Sequence, residues 1–299
     1  MRGWAATRGW AARWLACLAL VLSASVVHAQ NTPAEWTTPL APFRIVDNLY
    51  YVGSRDLASY LIVTPRGNIL INSSLESSPA LIRKSVEKLG FHYRDTRILL
   101  ISHAHFDHDA GSAAIVRETG ASYMVMDGDV PVVESGGAAD FAYGNDHYPP
   151  AKVDRVLHDG SEVRLGRTVL IARRTPGHTR GCTTWTMQAR EHGKPLNVVI
   201  VGSWNVNPGF RLVDFPGKPA SYPGIAADYQ RTFTMLKAMR CDVFLGAHGS
   251  YFGMLAKLDR IKAGDNSDVW IDRQGYQDAV AEREHAFEVE LGKQQSAPH

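Results

Sequence analysis

Cysteine is scarce in this chain: three in 299 residues, none of them at a C-x-x-C spacing. That excludes a disulfide-stapled scaffold and a thiolate-clustered metal site. Cys182 and Cys241 stand alone in the sequence. An oxidising compartment would let two such thiols pair, but isolated cysteines without a spacing pattern are expected to be free and buried. A basic excess is missing too, with 32 Lys and Arg against 30 Asp and Glu. No lysine/arginine cluster or aromatic-interleaved basic stripe occurs, which excludes an ordinary nucleic-acid binder. Interdomain linkers, short repeats and low-complexity segments are also absent. Long apolar runs are confined to the amino terminus.

There, Arg2, Arg8 and Arg13 precede an apolar stretch from Trp14 to Val27. Val27-His28-Ala29 fits a small-residue cleavage site before Gln30. The stretch is short for a membrane span and no stop-transfer pattern follows it. Residues 1–29 therefore read as a secretory signal, and residues 30–299 as a single exported domain. Removing three arginines leaves 29 basic against 30 acidic residues. Roughly 270 residues can bury a sizeable core.

Short apolar runs at Leu49–Val52, Tyr60–Val63 and Asn68–Ile71 read as strands, broken by Gly53, Pro65 and Gly67. Ser78-Pro79 is expected to cap and open a helix whose apolar face is Ile82, Val86 and Leu89, with Gly90 closing it. Further strands are expected at Ile98–Ile101, Tyr123–Met126, Asp154–Leu157, Glu162–Leu165, Thr168–Ala172, Leu196–Val201 and Asp242–Leu245. Helices are expected over Gly111–Thr119, near Val130–Glu134, around Tyr229–Leu236 and from Tyr276 to Leu291. The glycine-rich segment from Ser135 to Pro150 carries Phe141, Tyr143 and Tyr148 and suits the wall of a cleft.

The most informative stretch is Ser102-His103-Ala104-His105-Phe106-Asp107-His108-Asp109-Ala110-Gly111. Its H-x-H-x-D-H spacing follows a strand directly, on the loop before a helix, where open α/β sheets place their sites. Imidazole and carboxylate are zinc's preferred non-sulfur ligands. One such motif cannot complete two coordination spheres. His178 and His248 supply what is missing, because each follows an expected strand beside a glycine that lets the backbone turn. His92, His147, His158, His192 and His285 lack that context and are read as solvated or structural.

The set SHAHFDHDAG, TPGHT, a strand-end GS and a late strand-end GAHG resembles the metallo-β-lactamase fold. The longer segments SGGAADFAYGNDHYPPAKVDRVL, GSWNVNPGFRLVD and YPGIAADYQRTFTMLKAMRCDVFLGAHG are similar to zinc β-lactamases of subclass B3. The resemblance runs from about Phe43 to Lys262. It implies an α/β architecture, a four-layer αβ/βα sandwich of two ββα halves with the site at one edge between the sheets. It also implies two Zn2+ ions, one on His103, His105 and His178 and one on Asp107, His108 and His248. Asp107 would also help orient the nucleophile, a zinc-bound hydroxide that opens a β-lactam ring.

Ser203 is the discriminating position. Many other hydrolases of the superfamily carry a bridging aspartate there, and subclasses B1 and B2 carry a metal-binding cysteine. Serine forces His108 into the second site and leaves Ser203 or Asn205 to bind a substrate carboxylate. Val206 stands where B1 enzymes have a carboxylate-binding lysine. B3 members often pair a cysteine at the Cys241 position with one in the C-terminal helix. Here Tyr276 takes the partner position, so Cys241 is expected to be unpaired. Cys182 is at no ligand position and is read as structural. The implied protein is a periplasmic monomer acting on small molecules, without nucleic-acid partners or stable membrane association. Two rival readings remain: a hydrolase of lactones, thioesters or sulfate esters on the same fold, and a periplasmic zinc-binding protein.

Overall fold

Leucine-, isoleucine- and tyrosine-rich runs, each stopped by glycine, proline or asparagine, set out the first sheet. The computed structural model describes residues 32–265 and 268–297; the expected signal over residues 1–29 lies outside them. After a helical turn, α1 (Ala34–Thr37), come β1 (Phe43–Val46), β2 (Leu49–Tyr51), β3 (Tyr60–Thr64) and β4 (Gly67–Ile71). These four form an antiparallel meander. Helix α2 (Pro79–Lys88) crosses over to β5 (Thr96–Leu100), which pairs parallel with β4. The one-turn α3 (Phe106–Asp109) and α4 (Ser112–Thr119) lead to β6 (Ser122–Met126). Helix α5 (Val130–Glu134) and a long loop then reach β7 (Arg155–Leu157), completing a seven-stranded sheet in chain order.

The second sheet has five strands in the order β12-β11-β10-β9-β8. They are β8 (Glu162–Leu165), β9 (Thr168–Arg174), β10 (Thr183–Glu191), β11 (Lys194–Val201) and β12 (Val243–Gly246). Between β11 and β12 runs α6 (Ile225–Ala238), and after β12 come α7 (Met254–Lys262) and α8 (Arg273–Gln295).

Alternation along the strands divides the core. Leu61, Leu70 and Leu99 point outward and pack with Ile82 and Val86 of α2 and Ile115 of α4. Tyr60, Ile62, Ile69, Ile71, Ile98 and Leu100 point inward, against Leu170, Ala172, Trp185, Met187 and Ile200 of the second sheet. Tyr229, Phe233 and Leu236 of α6 and Phe287 and Leu291 of α8 extend that core on its far side. The result is four layers, helix–sheet–sheet–helix, as the resemblance implied. Each such Leu or Ile, fully removed from water, stabilises the fold by about 1.5–3 kcal/mol.

Several local expectations change. The strand β10 and the helix α7 go unmarked by apolar runs in the sequence. Strand β10 alternates buried Trp185, Met187 and Ala189 with Thr186, Gln188 and Arg190, so it carries a period of two without an apolar run. Ser78 makes no side-chain cap, although Pro79 does open α2 and Gly90 follows it with φ +85°. The motif is not all loop, because Phe106–Asp109 forms a helical turn. Cys182 and Cys241 are buried free thiols, with burial pushing the Cys241 thiol up to about 12. Tyr276 stands beside Cys241 and donates its hydroxyl to the Leu236 carbonyl.

One polar clasp joins the sheets at the end opposite the motif. Arg44 of β1 donates two hydrogen bonds to Glu191 of β10, at 2.9 and 2.8 Å. The Asp47 amide donates to Glu191, and Asp47 in turn accepts from the Arg190 amide. Arg44, then the Asp47 amide, hold the Glu191 carboxyl down at about 2. Arg44 is half-exposed, so Glu191→Gln is expected to cost only about 0.5–1 kcal/mol at pH 7. A depressed folded-state pKa contributes stability above the unfolded value and loses it as pH falls. Denaturant titrations should therefore show the difference intact above the ordinary glutamate range and vanishing as the pH approaches 2.

Candidate metal centre

Strand ends of both sheets deliver the motif residues. At the end of β4, Asn72 takes φ +66°, a left-handed conformation that asparagine tolerates. Its side chain donates to the Ala58 carbonyl and accepts from the Ser102 amide at 2.7 Å, which fixes the exit of β5. The amides of Ser73 and Ser74 donate to the His108 carbonyl, so α3 is tied back to the β4 exit. Gly111 fits there because a Cβ would lie 2.6 Å from the Ser73 carbonyl oxygen. From the second sheet, the Thr183 amide donates to Ser102 and the Trp185 indole to Ile101.

Two buried carboxylates brace this loop. Asp109 accepts from Ser112 and Tyr123, and burial raises its pKa to about 7. Asp129 accepts from the Ala104 amide, the Thr179 hydroxyl and the Gly181 amide, so it fastens the first histidine loop to the one bearing His178. Gly181 permits that approach, since a Cβ there would meet the Asp129 nitrogen at 2.4 Å.

The chain thereby brings together all six residues singled out as ligands. His103, His105 and His178 form one group, each offering a nitrogen within 4.8 Å of the others. His103, Asp107 and His108 meet the same limit. His248 joins beside them: its Nε2 lies 3.2 Å from His108 Nε2 and 3.5 Å from Asp107 Oδ2. Asp107 Oδ2 is 3.4 Å from His108 Nε2.

Partners behind the rings decide which nitrogens face inward. His178 Nδ1 donates to the Asn205 carbonyl at 2.8 Å, leaving Nε2 with its lone pair. Tyr229 donates to the same carbonyl, and its ring leaves space only for glycine at position 177. His248 Nδ1 is 2.9 Å from Asp56, which also accepts from the Trp36 indole and the Ser250 amide. His105 Nε2 faces Asp140 Oδ2 at 3.5 Å, while the other Asp140 oxygen accepts from the Ala142 and Tyr143 amides.

The electrostatics fit a cation. Burial first, then repulsion from the neighbouring imidazoles, pushes His103 well below its ordinary value. His108 and His178 fall to about 3, with burial the leading cause in each. These rings are neutral and present electron pairs to one another, an arrangement that a metal ion relieves. Burial also acts downward on His248, but its hydrogen bonds to Asp107 and Asp56 outweigh it and hold it at about 9. Asp107 stays ionised, because the surrounding imidazoles overcome its burial. Three imidazoles in one group, and a carboxylate with two imidazoles in the other, are the donor sets that zinc takes.

Ser203 and Asn205 lie at the exit of β11. Ser203 Oγ is 3.2 Å from the Tyr251 hydroxyl, and Asn205 Nδ2 donates to that hydroxyl at 3.1 Å. The Tyr251 ring packs 5.1 Å from His248. Tyr143 stacks edge-on to His105 at 4.9 Å and Phe210 lies 6.0 Å from His178, so the Ser135–Pro150 loop and the loop that follows β11 both reach the ligands. Tyr148, by contrast, is buried and donates to the Ala104 carbonyl, so it anchors the loop.

A family profile described as the metallo-beta-lactamase superfamily matches residues 55–248. The chain is 53% identical to the native FEZ-1 metallo-beta-lactamase from Legionella gormanii, with a TM-score of 0.84 over 87% of this chain and 98% of that one. The chain belongs to the metallo-β-lactamase superfamily. Within that superfamily it is also similar to BJP-1, a subclass B3 enzyme of Bradyrhizobium japonicum, at 36% identity, TM-score 0.81, covering 88% of this chain and 98% of that one. The class B3 di-zinc enzyme LRA-12 from an Alaskan soil metagenome matches at 35% identity and TM-score 0.79, over 87% and 97%.

Asp56, Asp129, Asp140 and Tyr251 went unmarked in the sequence of this metallo-β-lactamase family member. Only Asp140 carried a signal, its place in the loop already singled out. Removing a carboxylate that orients a ligating imidazole typically weakens metal binding about 10–100-fold. Asp56→Asn is therefore expected to weaken a metal ion held at Asp107, His108 and His248 by about that factor and to spare the His103–His105–His178 group. Competition with a chromophoric chelator measures both affinities; an unchanged weaker affinity would contradict the role.

Proposed function

We propose that the mature chain, residues 30–299, is an exported di-zinc β-lactamase. Its substrate class is the β-lactam antibiotics. The observation that carries this is the side-by-side placing of the two ligand groups, His103–His105–His178 and Asp107–His108–His248, with serine at position 203. When bound there, the zinc pair supplies a water deprotonated near neutral pH and a positive charge that polarises the lactam carbonyl.

The remaining work falls to the chain. Asp107 is ionised, adjoins both groups and accepts a hydrogen bond from the attacking water, which orients it. Asp56, Asp140 and the Asn205 carbonyl hold the ligand rings at fixed angles, so little reorganisation accompanies the reaction. Ser203 and Asn205, sharing the Tyr251 hydroxyl, receive the substrate carboxylate. Tyr143 and Phe210 cover the apolar body of the substrate. Water adds to the lactam carbonyl carbon, the C–N bond breaks, and the ring nitrogen leaves with a proton from solvent. The one Ser-x-x-Lys spacing, Ser85 to Lys88, lies on α2 with Ser85 buried and unpaired with Lys88, so it offers no serine nucleophile.

Among the described residues no helix is long and apolar enough to cross a membrane. The expected export rests on the residues 1–29 pattern, and a small-molecule site of this kind asks for no partner chain.

Purified mature protein is expected to hydrolyse a carbapenem, to lose that turnover to a chelator and to regain it with zinc. A folded, zinc-loaded protein that opens lactones or thioesters but no β-lactam would overturn the reading. Zinc uptake with no hydrolysis at all would favour the zinc-binding alternative.

A further inference from the structure

The metal cluster takes the carboxyl ends of β5, β9, β11 and β12. The opposite end of the second sheet holds a groove of about 1320 Å3. Because Leu170, Ala172, Trp185, Met187 and Ala189 face the core, the alternate residues Val169, Ile171 and Arg173 of β9 and Thr186, Gln188 and Arg190 of β10 face out into it. The carboxyl end of α6, with Met235 and Met239, forms one wall. The Val63–Arg66 turn and the Gly166–Thr168 turn close the far side.

Its charge is one-sided. Arg66, Arg167, Arg173, Arg190 and Arg240 line it, against Asp47 as the single carboxylate. Asp47 is already engaged by the Arg190 amide at 2.8 Å. Among the described residues, the guanidinium groups of Arg66, Arg167, Arg173 and Arg240 meet no carboxylate. Elsewhere on this surface arginines are either paired with carboxylates, as Arg44, Arg164 and Arg273 are, or scattered singly, as Arg94 and Arg211 are; in the groove four gather. Between the five lie half-buried apolar side chains, Val169, Ile171, Met235 and Met239.

We propose that this groove binds a single-chain anionic amphiphile, a long-chain carboxylate, with its tail on the Val169–Ile171–Met235–Met239 strip and its head among the arginines. Guanidinium groups match a carboxylate with two parallel hydrogen bonds, and methionine adapts to a flexible chain. An added peptide strand does not fit, because β10 is hydrogen-bonded on both sides by β9 and β11 and exposes a face, not an edge. No aromatic side chain lines the groove to stack a nucleic-acid base. The side chains of α6 and of the two turns flank the strip, which suits a single chain better than a flat bilayer.

Isothermal titration of the mature zinc-loaded protein with dodecanoate, below its micelle concentration, tests this. One saturable site is expected, with no saturable binding of dodecyltrimethylammonium or acetate. Arg167→Glu with Arg173→Glu should weaken dodecanoate by about tenfold or more, as expected for losing charged hydrogen bonds. Met239→Asp should weaken it as well, and carbapenem turnover should be unchanged in both variants. Absence of saturable binding, equal binding by the charge-reversed variant, or binding only to phosphatidylglycerol vesicles would each overturn the proposal.

Discussion

Five imidazoles and a carboxylate share one small volume, and keeping the rings dry and aimed is the constraint on which the rest depends. Uncompensated, such a cluster repels itself on protonation and fails to coordinate when its rings turn. The protein answers with groups placed behind the rings: Asp56 on His248, the Asn205 carbonyl on His178 and Asp140 facing His105. Asp129 then locks the two histidine loops to each other.

The sandwich makes that bracing possible. Parallel pairing of β4 with β5 and of β11 with β12 sends strand exits from both sheets to one edge. Inward-facing Tyr60 adds a direct tie, since its hydroxyl donates to the Gly246 carbonyl just before His248. The same topology leaves the outer face of β9 and β10 uncovered at the other end, where the unpaired arginines collect. Chemistry at one end and an open, charged groove at the other are two consequences of one strand arrangement.

Much of this was legible in the sequence. The H-x-H-x-D-H motif is local, and glycines mark the turns that present His178 and His248. Strands built from apolar runs, such as β3, β4, β5 and β11, stand out for the same reason. What stayed hidden depends on long-range pairing. Asp56 and His248 are 192 positions apart, and nothing near Asp56 marks it as a ligand's partner. Strand β10 was hidden by its own chemistry, since Thr186, Gln188 and Arg190 turn away from the core and interrupt its buried positions. Ser78 shows the converse: a good capping residue in the right place makes no cap, because its own backbone is already helical (φ −74°, ψ −26°), whereas a capping side chain needs a non-helical backbone.

In the proposed enzyme the two groups of ligands hold two zinc ions in one chain. Native mass spectrometry of the mature protein, loaded with zinc and freed of excess by buffer exchange, tests it most directly. Two zinc ions per chain are expected, falling to one in His248→Ala. A single ion in the unaltered protein, or two retained after that substitution, would contradict the account.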